Sequence, residues 1–155
     1  MNDPVDMIKL MQELPKRPRG RACIVLTHDY DSQKDWAMEL AKQTGSEHLD
    51  LLDLFQEKQD MAETISSLNV PRLFSLLRTT SDKSVFIVTG MEFLKATWST
   101  QHNALDDFAK HVETWTKSPA MLFVLQFDSA LAERKFTRYP QYRFVIDQKE
   151  TYALT

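Results

Sequence analysis

Three uninterrupted apolar runs of strand length are the feature that most constrains how this chain can fold. They are "ACIVLT" at 22–27, "SVFIVT" at 84–89 and "AMLFVLQF" at 120–127. A strand that is apolar at every position, rather than at alternate ones, is typical of a parallel sheet covered on both faces. The stretches between the runs have helical apolar spacing, so strands and helices alternate. The sequence therefore predicts an α/β fold with a mostly parallel sheet and helices on both faces.

The remaining elements are predicted from periodicity and from capping residues. Asp31 or Ser32 is expected to cap the helix that follows the first strand, and Gly45 to end it. Further helices are predicted over 4–14, 33–43, 56–68, 101–116 and 130–136 and from residue 70, and further strands over 48–55, 142–147 and 151–154.

The chain of 155 residues fits a single domain over 1–155, in which 1–20 form an N-terminal helix and a basic connector. No stretch reaches the ~20 apolar residues of a membrane span, and the first residues lack the apolar centre of a signal peptide. The single cysteine, Cys23, excludes an internal disulfide and is expected to be a buried, poor nucleophile. We therefore expect a cytoplasmic protein without membrane contact.

The connection after the first apolar run is the first place to look for a ligand, because parallel sheets bind ligands beyond the carboxyl ends of their strands. A phosphate-binding loop GxxxxGK[ST] needs glycines that turn backbone N–H groups inward, then a lysine and a hydroxyl. Here His28 and Gln33 stand at the glycine positions, Lys34 at the lysine and Asp35 at the hydroxyl. Lys34 is thus the one candidate for cofactor binding.

Negative charge around Lys34 opposes phosphate binding. At ~4 Å, each of the nearby aspartates would repel a phosphate by about 1 to 4 kcal/mol. Glu92 is a remnant candidate for a catalytic acid, although a solvated glutamate at a helix start is the preferred interpretation. We therefore expect no cofactor, with ATP and Mg²⁺ disfavoured, and no catalytic residue. A metal site of His28 with Asp29 or Asp31 is possible, but a solvated loop is preferred and no metal is expected.

A basic and aromatic cluster near the C-terminus is the main candidate for an interaction surface. Its members are Arg134, Arg138, Tyr139, Tyr142 and Arg143. Arginine interleaved with aromatic rings can stack single-stranded bases. Since the same residues are enriched in protein interfaces and the net charge is −3, a protein interface is favoured over nucleic acid.

Three stretches resemble a known family. They are "HLDLLDLF", "SSLNVPRLFSLL" at 66–77 and "SVFIVTGMEFL". Together they resemble the BrxF family, the small P-loop proteins of BREX-type phage-defence systems, over residues 20–127. The resemblance implies a P-loop NTPase fold. It also implies that methylation and motor activity belong to partner proteins of the defence system. Of the family's functional residues only Lys34 and Glu92 match, because the loop glycines, the hydroxyl and the Asp of the second motif are replaced.

The C-terminal third looks like the sensor half of AAA+ clamp-loader subunits. The likeness rests on "NALDDFAKHVETW", on the strand that follows it, and on "ERKFTRYPQYRFVI". It implies an AAA+ core without a lid, in which Arg134 or Arg138 reaches the nucleotide of a neighbouring subunit. Some subunits of that kind have lost ATPase activity.

These expectations favour a non-catalytic interaction or regulatory subunit of a bacterial phage-defence complex. Its partners would be other subunits of that complex or copies of itself. One alternative is an active ATPase in which Lys34 and Glu92 carry the essential roles. The other is a clamp-loader-like subunit that contacts DNA through the C-terminal basic and aromatic cluster.

Overall fold

The computed structural model describes residues 4–57, 68–80, 84–98 and 103–152. The strands in these ranges are β1 (Ala22–Thr27), β2 (Glu47–Asp50), β3 (Val85–Thr89), β4 (Ala120–Gln126) and β5 (Val145–Asp147). The helices are α1 (Met7–Glu13), α2 (Tyr30–Thr44), α3 (Leu51–Glu57), α4 (Val70–Thr80), α5 (Glu92–Trp98), α6 (Ala104–Thr114) and α7 (Ser129–Glu133). Short 3-10 turns follow at Leu14–Lys16 and Gln148–Glu150.

The five strands form one parallel sheet in the order β2-β3-β4-β1-β5. The strands β3, β4 and β1, which correspond to the three apolar runs, occupy the interior positions, where each has a neighbour on both sides. The prediction of an α/β fold with a parallel sheet is confirmed, and the architecture is consistent with a P-loop NTPase-like fold.

Helices cover both faces of the sheet, as predicted. Alternate residues of β1 point to opposite sides, so that Ile24 and Leu26 join one core layer whereas Cys23 and Val25 join the other. The layer around Cys23 is closed by α1 and α2, and the opposite layer by α3, α4, α5 and α6. None of the helices in the described ranges is long and apolar enough to cross a membrane.

The prediction of a strand over 48–55 is wrong in its second half. The strand ends at Asp50, whose carboxylate accepts a hydrogen bond from the backbone N–H of Asp53 at 2.9 Å and thereby caps α3. In α3, Leu51 and Phe55 are buried one helical turn apart. Most of the helix predicted over 56–68 lies outside the described residues.

The remaining boundaries differ modestly from the predictions. The helix predicted over 101–116 begins at Ala104, and the strand predicted over 142–147 is limited to Val145–Asp147. In the predicted edge strand 151–154, Thr151 forms a single parallel bridge with Val5, and its last two residues lie outside the described ranges.

Candidate functional site

The connection between β1 and α2 consists of only His28 and Asp29, since α2 begins at Tyr30. The cap predicted at Asp31 or Ser32 is instead Asp29, whose carboxylate accepts from the N–H of Asp31 at 3.1 Å. The helix therefore starts three residues earlier than predicted. As a result, the stretch that would have to wrap around a phosphate is already helical.

Lys34 lies on α2 and points across to α3. Its Nζ is 2.5 Å from Oδ2 of Asp53, and both side chains are about half exposed. The hydrogen bond to Asp53 raises the pKa of Lys34 above its ordinary value, and the charges of Asp50, Asp53 and Asp35 act in the same direction. Lys34, the predicted phosphate ligand, thus forms a half-exposed ion pair between α2 and α3.

Gln33, which stands at the position of the second loop glycine, is buried. Its side-chain amide donates to Oγ1 of Thr27 at 3.0 Å, and Thr27 in turn donates to the carbonyl of Leu125 at 3.2 Å. This chain of hydrogen bonds closes the end of β1 against β4. The glutamine fills space that a glycine would leave open.

His28 is engaged with β5 rather than with the aspartates that follow it. Its Nε2 lies 2.9 Å from Oδ2 of Asp147, and its ring stacks on Phe127 with 5.0 Å between centroids. Burial alone would raise the pKa of Asp147, but hydrogen bonds from His28 and from the N–H of Lys149 outweigh it and lower that pKa. In the described part of the chain, no group of three His, Cys, Asp or Glu side chains is placed to hold a metal.

A second hydrogen-bonded chain joins the ends of β2 and β3. Thr89 Oγ1 donates to Oδ2 of Asp50 at 2.9 Å and lies 2.8 Å from Nε2 of His48. Since the hydroxyl hydrogen is directed to Asp50, His48 acts as the donor to Thr89. Gly90 follows with φ +74, and a Cβ there would lie 2.5 Å from Oδ1 of Asp50. The carboxylate thus occupies the space above the end of β3.

The prediction that Glu92 is a solvated side chain is wrong, because its carboxylate is hydrogen-bonded to the end of β4. Its Oε1 accepts from the backbone N–H of Gln126 at 2.8 Å. Lys95 Nζ lies 3.7 Å from Glu92 and 3.6 Å from Asp128, and it donates to the carbonyl of Gln126 at 3.1 Å. The candidate acid therefore holds α5 against the β4–α7 connection.

A cavity of about 260 Å³ remains between these elements, at the carboxyl end of the sheet. Three carboxylates and one ammonium contribute to its lining: Asp31, Asp50, Asp53 and Lys34. Because Lys34, the only cation among the described lining residues, is already paired with Asp53, the cavity is acidic.

The predicted C-terminal cluster does not stay together. Arg134 pairs with Asp106 at 2.9 Å, a bond that lowers the pKa of Asp106, and Arg143 pairs with Glu150. The other three members behave differently. Tyr142 and Tyr139 are covered by arginines of the N-terminal connector, at 4.1 Å from Arg17 and 5.4 Å from Arg19, and Arg138 is exposed beside them.

Sequence reasoning did not connect the two basic segments, which are more than a hundred residues apart. The signal available was compositional: neither 16–21 nor 134–143 contains an acidic residue.

Comparisons of the chain with protein-family models, with curated proteins and with solved structures found no match. The function has to be argued from the molecule itself and from the resemblances of its sequence.

Proposed function

We propose that this chain is a non-catalytic, P-loop-like interaction or regulatory subunit that binds no nucleotide. The observation that carries the proposal is the ion pair of Lys34 with Asp53, next to a β1–α2 connection of two residues. A phosphate cradle needs consecutive free N–H groups and an available cation. Here Asp29 occupies the helix N-terminus and Asp53 occupies the lysine.

Electrostatics supports the same conclusion. A nucleotide phosphate in the cavity at the carboxyl end would approach Asp31, Asp50 and Asp53. Each carboxylate at ~4 Å costs about 1 kcal/mol in water and about 4 kcal/mol at an effective dielectric constant of 20. A single lysine, shared with Asp53, does not offset three such repulsions.

Interaction with protein partners is supported by apolar side chains exposed at the same end. Phe127 is 43% exposed and Leu52 is 37% exposed, in surroundings rich in carboxylates. Aromatic residues exposed in this way are enriched at protein interfaces. We propose that other subunits of a BREX-type phage-defence complex, or a second copy of the chain, bind here. The BREX assignment rests on the sequence resemblance.

Thermal unfolding with and without Mg²⁺ and ATP tests the absence of nucleotide binding. A nucleotide at ~100 times its Kd would add about 2.7 kcal/mol, which corresponds to a rise in Tm of several degrees at this size. We expect no rise for the wild type, for Lys34→Ala, or for Lys42→Ala, a matched control with an exposed lysine on the same helix. A rise in the wild type and in Lys42→Ala that Lys34→Ala abolishes would reject the proposal.

Affinity purification of the tagged chain from its native cell tests the partners. We expect subunits of a phage-defence complex, and reduced recovery with Phe127→Ser but not with Ala132→Ser, which changes another exposed residue. Recovery of clamp-loader subunits instead would favour the second resemblance. Recovery of neither group would reject both assignments.

The alternative of an active ATPase gives a separate signature. It requires hydrolysis that Glu92→Gln abolishes, because Glu92 is the one residue that matches a catalytic acid. Since the carboxylate of Glu92 already accepts the N–H of Gln126, we expect no hydrolysis above background in either protein.

A further inference from the structure

Charge is strongly segregated along this chain. Segments 16–21 and 134–143 each contain four basic residues and no acidic one. Outside these two segments, eleven basic residues remain against 22 acidic ones. A net charge of −3 therefore conceals two strongly basic stretches on an otherwise acidic protein.

The fold brings the N-terminal basic segment and the second half of the C-terminal one to the amino-terminal end of the sheet, whereas Arg134 stays beside Asp106 at the start of α6. The N–H of Arg21 donates to the carbonyl of Trp115, and the N–H of Met121 donates to the carbonyl of Arg21, so the connector ends where β1 and β4 begin. The N–H of Ile24 donates to the carbonyl of Phe144, just before β5. The two stretches thus meet at the end opposite the acidic cavity.

Two arginine–tyrosine stacks form where the segments meet. Arg17 covers the ring of Tyr142 at 4.1 Å and Arg19 covers the ring of Tyr139 at 5.4 Å, and the two rings are 6.3 Å apart. Such stacking holds a guanidinium group in place; Arg17 donates one N–H to the carbonyl of Gly20 at 3.2 Å, which leaves its other N–H groups for a ligand.

Within the part of the chain that the structure describes, the cations of this surface lack the carboxylate partners that neutralise Arg134 and Arg143. In the described ranges, no carboxylate lies within salt-bridge distance of Arg17, Arg19 or Arg138. The backbone N–H of Arg138 donates to the buried carboxylate of Glu113 at 3.1 Å, which fixes the position of this residue while its side chain is exposed. Three positive charges therefore lie together, two of them stacked on half-buried tyrosine rings.

We propose that this surface is a binding site for single-stranded nucleic acid. We define it as the amino-end patch: Arg17, Arg19, Arg138, Tyr139 and Tyr142. The guanidinium edges donate to backbone phosphates, and bases stack on the outer faces of the guanidinium planes that cover the two tyrosine rings. A duplex hides its base faces, and the carboxylates of an acidic peptide would pair with the guanidinium edges without stacking on their faces. The proposal concerns the end opposite the acidic cavity, so it stands independently of nucleotide binding there.

Fluorescence anisotropy with labelled single strands of about 12 nucleotides tests the site, since one OB-fold domain, for comparison, binds roughly 4 to 16 nucleotides. DNA and RNA are measured separately, and tighter binding of either polymer supports the site and names its ligand. With three phosphate contacts and a slope of about −0.7 per contact, affinity should fall about 20-fold between about 50 and 200 mM salt.

The variants separate charge from stacking. Arg19→Ala and Arg138→Ala should each reduce the salt slope by about 0.7. Arg19→Lys keeps the charge but loses the planar stack, so binding should weaken about fivefold or more with an unchanged slope. Lys149→Ala is the matched control, because it removes an exposed cation at the opposite end of the sheet. It should bind as the wild type does, and circular dichroism checks the fold of each variant.

Three results would overturn the proposal. The first is absence of binding to either polymer at about 50 mM salt, where electrostatic binding is strong. The second is equal weakening by Lys149→Ala and Arg19→Ala, which would reflect only overall charge. The third is competition by poly-glutamate as effective as that of an unlabelled strand of equal charge, which would assign the patch to an acidic protein.

Discussion

The two ends of the sheet differ in nearly every respect that matters for ligands. At the carboxyl end, where parallel sheets usually bind ligands, each candidate side chain is already bonded inside the protein: Lys34 to Asp53, His28 to Asp147, and Glu92 to the backbone of Gln126. At the amino end, Arg19 and Arg138 are exposed and have no carboxylate partner within the described ranges.

This difference teaches that the fold and the place of its chemistry are separable. The sheet is fixed by its buried strands, which make the same contacts whatever the loops contain. Function depends on which loops leave polar groups free. In this protein the candidate side chains at the carboxyl end of the sheet bond to other groups of the protein. The amino end carries Arg19 and Arg138, which have no carboxylate partner within the described ranges.

The largest effect is expected for Gly90→Ala, which tests the hydrogen bonds of Asp50 at the carboxyl end of the sheet. At φ +74 an alanine costs about 1 to 2 kcal/mol, and its Cβ would displace the Asp50 carboxylate, whose hydrogen bonds contribute about 1 kcal/mol or more. We expect a loss of about 2 to 4 kcal/mol in the free energy of unfolding, measured by urea denaturation.

The matched control is Gly45→Ala. Gly45 also has a positive φ, of +69, but a Cβ there would meet nothing within 4 Å. Its loss should be about 1 to 2 kcal/mol, from the backbone alone. Equal losses at the two positions would mean that the hydrogen bonds of Asp50 do not contribute to the free energy of unfolding.

Glu92→Ala should destabilise the protein more than Lys34→Ala. Removing Glu92 leaves the backbone N–H of Gln126 without its acceptor, at a cost of about 1 to 3 kcal/mol, and takes one of two carboxylates away from Lys95. The Lys34–Asp53 pair is half exposed, so its loss should change the free energy of unfolding by less than about 1 kcal/mol. A larger effect of Lys34→Ala, measured by the same denaturation, would contradict the description of Lys34 as a surface ion pair.

At the amino end, Arg17→Ala should cost about 1 kcal/mol. The substitution removes the stack on Tyr142, worth about 0.5 to 1 kcal/mol, and a hydrogen bond to the carbonyl of Gly20. The guanidinium of Arg19 is farther from the ring of Tyr139, at 5.4 Å. Arg19→Ala should therefore lower the free energy of unfolding by less, when both variants are measured by urea denaturation. The reverse order would show that the connector is held by something other than the Tyr142 stack.

The sequence predicted the sheet well because burial on both faces leaves a plain mark. The runs at 22–27, 84–89 and 120–127 match β1, β3 and β4 to within one residue at each end. The end of β2 was missed because "HLDLLDLF" is compatible with a continued strand, whereas the chain turns into a helix where the N–H of Asp53 donates to the carboxylate of Asp50. Local capping decided what composition could not.

The sites were harder to predict because their character depends on distant partners. Lys34 and Glu92 can be singled out from the sequence, but their pairing with Asp53 and with Gln126 follows from packing between elements. The contact of Arg17 with Tyr142 joins residues 125 positions apart. Periodicity reports which face of an element is buried, and it carries no information about which loops meet.

The smallest effect we predict is a pH dependence that belongs to the carboxyl end. Burial lowers the pKa of His48; Asp50 opposes this shift, and the charge of Lys34 adds to it. Below about pH 6.5 the unfolded chain takes up a proton that the native His48 resists, so stability is fully present above that pH and is lost as pH falls towards the lowered pKa. His48→Gln should therefore lose less stability than the wild type between about pH 7.5 and 5.5, in urea denaturation at both values. An identical loss in both proteins would assign the dependence to other groups. The amino-end patch consists of arginine and tyrosine side chains and contains no histidine or carboxylate, so a fall in stability at constant affinity for single strands would separate the two ends in one experiment.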